Sequence, residues 1–66
     1  MQEWQERVVD EFTELNSKLK KLEEFITVNP SFKNANEFEK TRLRDQHMYM
    51  TKYSEILHSR IVHFKG

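Results

Sequence analysis

A chain of 66 residues that is 36% hydrophobic and 33% charged has room for one domain and only a small core. Its formal net charge of zero argues against general DNA or RNA binding, which needs many phosphate contacts, but not against a small anion held by a few cations. Without cysteine there are no disulfides and no thiolate chemistry, which suits a reducing compartment.

No apolar run approaches the roughly 20 residues that span a bilayer, and the opening MQEWQERVV has no signal-peptide core. The chain therefore reads as soluble and intracellular. Charge is unevenly placed: residues 1–28 carry seven acids and four bases, net −3, and residues 29–66 carry four acids and seven bases, net +3. Two such segments lying antiparallel attract one another.

The first element has a clean helical period. Val8, Phe12, Leu15, Leu19, Leu22 and Ile26 recur at alternating spacings of four and three, with Gln5 one step before them. Trp4 and Phe25 widen that stripe. Glu3, Glu6, Asp10, Glu11 and Glu14 crowd the opening turns, where the positive end of the helix dipole favours them. The spacing predicts a helix over about residues 2–28.

Asn29-Pro30 should end it, because proline disfavours helical geometry in the residue before it and asparagine tolerates a left-handed terminal position. Residues 29–36 then read as a connector with at most one irregular turn, and Phe32 is expected to fold back onto the helix ends. Asn36 with Glu39 resembles a capping box. A second helix follows over about residues 37–63.

This second helix carries two stripes. Leu43, Met50, Leu57 and Phe64 are seven apart, with His47, Ser54 and Ile61 between them, and can pack on the first helix. Tyr49, Tyr53, Ile56, Arg60 and His63 form another, for which the chain offers no partner. The expectation is an all-α fold: one domain over residues 1–66, an antiparallel two-helix hairpin that assembles into a homo-oligomeric bundle.

Catalysis finds little support. Ser17, Ser31, Ser54 and Ser59 lack a nucleophile-elbow context, and the carboxylates fall on faces that read as solvated. Glu55-x-x-His58 matches the carboxylate–histidine element of di-iron bundles, but the first helix offers an aliphatic seam where glutamates are needed. No metal and no cofactor is therefore expected. The polar face of the first helix is largely acidic, the opposite of what anionic lipids attract, so no membrane partner is expected either.

A small anionic ligand fits better. Tyr49 and Tyr53 offer faces on which bases stack, with Trp4 contributing from the first helix. Arg60, Arg7 and Lys52 suit phosphates, and Ser54 or Gln46 suits a base edge. The plainer reading makes the aromatics oligomer core and the cations a solvated rim, and composition and spacing alone favour it.

In order along the chain, WQERVVDEFTELNSKLKKLEEFI, a connector ending in an acidic stretch, and RLRDQHMYMTKYSEILHSRI resemble a family of small helical proteins from tailed bacteriophages. The motif Gln-x-x-x-Met-x-x-Tyr-Ser-x-x-Leu-x-x-Arg-Ile falls on Gln46, Met50, Tyr53, Ser54, Leu57, Arg60 and Ile61. Such phage proteins include sponges that bind the cyclic nucleotide signals of antiphage systems such as CBASS. The resemblance implies a protein without enzymatic activity in the cytoplasm of the infected bacterial host. It would sequester a nucleotide such as a cyclic dinucleotide between subunits of a homo-oligomer, for example a tetramer. The alternative is a helical interaction module or structural oligomer that docks on a host protein.

Overall fold

The computed structural model describes residues 1–64. It contains three helices, α1 (Glu3–Val28), α2 (Pro30–Lys33) and α3 (Glu37–Val62), and no strand among the described residues. At 1.5 Å per residue, each 26-residue helix is about 39 Å long.

Local chemistry sets the ends of each helix. At the start of α1, the Gln5 side-chain oxygen accepts the Gln2 backbone N–H at 2.8 Å, and Glu3 and Glu6 occupy the first turn. That bond also satisfies Gln5, which is buried in the seam. Asn29 takes an extended conformation, φ −84° and ψ 125°. This corrects the expected left-handed terminus: the following proline, rather than the asparagine, dictates the backbone here.

The connector is more ordered than expected. Asn29 Oδ1 accepts the Ser31 N–H at 2.8 Å, Pro30 sits at the first helical position, and one short helix, α2, results. Phe32 on α2 is buried as expected, meeting Phe25 edge to face with ring centroids 6.2 Å apart. Asn36 Oδ1 then accepts the Glu39 N–H at 2.8 Å, which is one half of the expected capping box.

Contacts between α1 and α3 run in reverse sequence order. Trp4 meets Phe64 with ring centroids 5.2 Å apart, Phe12 meets His58 at 5.8 Å, Asn16 meets Ser54, and Glu23 approaches His47 at 4.0 Å. The seven-spaced seam of α3 faces α1: Leu57 is fully buried, and Leu43, Met50 and Ile61 are half-buried. Val8 is buried opposite, with Phe12, Leu15, Leu19, Leu22 and Ile26 half-buried.

A part-buried polar pair sits within this seam. Ser54 Oγ donates to Asn16 Oδ1 at 2.8 Å, while Asn16 Nδ2 donates to the Phe12 carbonyl at 2.8 Å. Both ends of the Asn16 amide are thus engaged, and the pairing favours one register over its neighbours. The chain is elongated, 49 × 15 × 14 Å. Its radius of gyration of 14.9 Å exceeds the about 11 Å of a compact domain this long.

Candidate functional site

The seam occupies one side of α3 and leaves another uncovered. Successive helical residues are about 100° apart, so Tyr49 stands well around the helix from its seam neighbour Met50. Tyr49 is 64% exposed, Ile56 58% and Tyr53 41%. These residues, with Arg60, are the stripe for which the sequence offered no partner, and α1 does not cover it.

Tyr53 is the best-anchored member. Its hydroxyl donates to the Glu11 carboxylate across the helix pair. That hydrogen bond, then desolvation and the Glu11 charge, hold the phenol above the usual tyrosine range, while the nearby Arg60 charge pulls the other way. An aromatic face, a guanidinium and a carboxylate therefore share one exposed patch. The aromatic and the cation suit a base and a phosphate; Glu11 works against the phosphate and is offset by Arg60.

The remaining expected site residues divide by position. Lys52 is exposed at the outer edge of the stripe, three residues from Tyr49. Gln46 is exposed one turn before Met50, its Nε2 3.7 Å from the Met50 sulfur. Arg7 is exposed and paired with Glu3 at 2.6 Å. Trp4 is half exposed and engaged with Phe64. Phe64 lies eleven residues beyond Tyr53, roughly 16 Å along the axis, so one chain does not bring Trp4 to the tyrosines.

Ser54 stands apart from the other expected site residues. It is buried in the seam with its hydroxyl committed to Asn16, which leaves it unable to meet a base edge on the exposed stripe. Its position four residues after Met50 and three before Leu57 was the signal that it points inward.

At the connector end the structure assembles a group that sequence reading missed. An open cleft of about 400 Å³ is lined by residues that include Ile26, Val28, Pro30, Lys33, Lys40 and Arg44. The Arg44 guanidinium lies 5.3 Å from the Phe32 ring centroid, and Lys40 Nζ lies 6.0 Å from it. The four-residue spacing of Lys40 and Arg44 was legible as one face of α3, but its meeting with Lys33 depends on α2.

Among the described residues no three histidine or acidic side chains converge as a metal site, and His58 lies against Phe12. No helix among them is long and apolar enough to cross a membrane. No curated protein and no solved structure matches the chain. The family model described as Sequestin matches residues 2–63, nearly the whole length. The chain thus belongs to the Sequestin family.

Proposed function

We propose that this protein sequesters a small anionic nucleotide, such as a cyclic dinucleotide signal of host antiphage defence, without cleaving it. The family name points to sequestering. The observation that carries the reading is the uncovered stripe of Tyr49, Tyr53, Ile56 and Arg60, which joins aromatic faces to a cation on a helix whose adjacent face is already packed. Lys52 and Gln46 border that stripe.

The ligand is held where copies of the chain meet. In this reading each copy is an antiparallel hairpin, and several associate through α3 into a helical bundle in the cytoplasm of the infected bacterium. The support for association is the uncovered stripe itself; the accessible surface of 5257 Å², above the about 4,500 Å² of a compact 8.1 kDa monomer, reflects the elongated shape of the helix pair. Trp4, distant from the tyrosines within one chain, reaches them in this arrangement only from a neighbouring copy, whereas Arg7 lies one helical turn from Glu11, the partner of Tyr53.

Isothermal titration against cyclic di- and trinucleotides and other small nucleotide signals tests the function. Saturable binding without turnover is expected. Combined Arg60→Ala and Lys52→Ala substitution is expected to abolish it while the oligomer persists, because the apolar members Tyr49, Tyr53 and Ile56 are left in place. Absence of binding across the panel at micromolar protein sinks the reading. The tyrosine hydrogen bond to Glu11 favours a second reading, in which the stripe is a dry protein contact. In that case no nucleotide affinity exists for the double variant to lose.

A further inference from the structure

We propose that the cleft at the connector end is a second anion site, which takes the phosphate group of a small soluble molecule. It lies apart from the stripe: Lys40 and Arg44 precede Tyr53 by thirteen and nine residues, on the order of 13–20 Å along α3. The cleft's volume of about 400 Å³ falls within the ~300–1,000 Å³ of small-molecule pockets.

Charge at the cleft is unbalanced toward the positive. Lys33, Lys40 and Arg44 line it, and no acidic residue does. Lys40 pairs with Glu37 at 3.6 Å, whereas neither Lys33 nor Arg44 makes an ion pair among the described residues. Glu23 lines the adjoining cleft of about 240 Å³, where it faces His47 at 4.0 Å. The C-terminal end of α1 also opens here, and its last turn holds no basic residue. A helix end is equivalent to only about half a negative charge, so the α1 terminus, Glu37 and Glu23, which shares the adjoining cleft with Arg44, still fall short of neutralising three cations.

Two of the cations are held in place before any ligand arrives. Arg44 and Lys40 both lie against Phe32, which is buried and fixed in turn by Phe25. Ordering a long side chain in advance removes much of the entropy lost on binding, and a guanidinium fork matches two phosphate oxygens. Lys33, on α2, also lines the cleft. Phe32 itself is covered and does not serve as a stacking platform, so the site recognises the phosphate rather than a base.

Amide chemical-shift titration of the full chain with inorganic pyrophosphate, at ionic strength held constant with sodium chloride, tests the site. Saturable shifts are expected at Thr27, Val28, Asn29, Ser31, Phe32, Lys33, Lys40 and Arg44. The stripe at Tyr49 and Tyr53 should remain still, which separates this result from success or failure of the nucleotide titration. Arg44→Gln should weaken binding on the order of tenfold, the loss of one charge-assisted contact. Lys33→Gln, at an exposed position that does not carry the fold, should weaken it about threefold and keeps the test valid if Arg44→Gln disturbs Phe32. Shifts scattered over all cationic residues, or an affinity unchanged in folded Lys33→Gln, would overturn the proposal.

Discussion

The two stripes of α3 meet different fates. On the inner face, Leu43, Met50, Leu57 and Ile61 find the stripe of α1 and are buried or half-buried. On the outer face, Tyr49, Tyr53 and Ile56 stand in solvent. The inner face also has its polar member satisfied, with Ser54 bonded to Asn16, whereas the outer face mixes aromatics with Arg60 and Glu11. Two helices supply one seam and no more. The second stripe is the surface that the proposed association and ligand would cover.

The largest expected effect is on the inner face. Leu57→Ala removes the one fully buried large side chain and should cost about 2–5 kcal/mol, against a total stability on the order of 3–10 kcal/mol for a chain this short. Urea denaturation at fixed protein concentration should show a steep loss of midpoint or an unfolded chain. An unchanged midpoint would mean that the seam is elsewhere.

Ser54→Ala comes next. It leaves the Asn16 carbonyl oxygen half-buried without its partner, at about 1–3 kcal/mol. Replacing both residues by apolar ones should restore much of the loss, because no orphaned polar group remains. A double variant as unstable as the single one would show that the pair does more than satisfy itself.

On the outer face, Ile56→Asp should leave the intrinsic stability of the helix pair within about 0.5 kcal/mol, as expected of an exposed position. Its effect should appear instead as a fall in assembled mass, read by light scattering, since the substitution buries a charge wherever a second copy covers the stripe. An unchanged mass would place the contact between copies on another surface.

The smallest effect is a pH dependence. The Tyr53 pKa is raised in the folded chain, so near the ordinary tyrosine range the folded state retains a proton that the unfolded state has released. Stability from this group is present below that range and is lost as pH rises through it toward the folded value. Tyr53→Phe should remove that alkaline component. Equal alkaline loss in wild type and variant, read from urea midpoints, would show that the Glu11 bond contributes nothing in solution.

The inner face was legible in the sequence because its seven-residue spacing repeats over four turns and more. The uncovered outer stripe was legible by subtraction, once α1 had been assigned a single apolar face. The place of Ser54 in the seam was visible in its spacing, whereas its residue type alone suggested a ligand contact. α2 escaped because four residues of mixed propensity carry no period, and its stability comes from the Asn29 cap, Pro30 and the burial of Phe32. The cationic cleft escaped for the same reason, since it exists only after α2 has carried Lys33 round to Lys40 and Arg44.

Whether the outer face of α3 is covered by further copies of the chain is tested most directly by size-exclusion chromatography with light scattering, with and without nucleotide. The account predicts a discrete multiple of 8.1 kDa at micromolar concentration, retained or sharpened when a cyclic nucleotide binds. A monodisperse 8.1 kDa species under both conditions would contradict it.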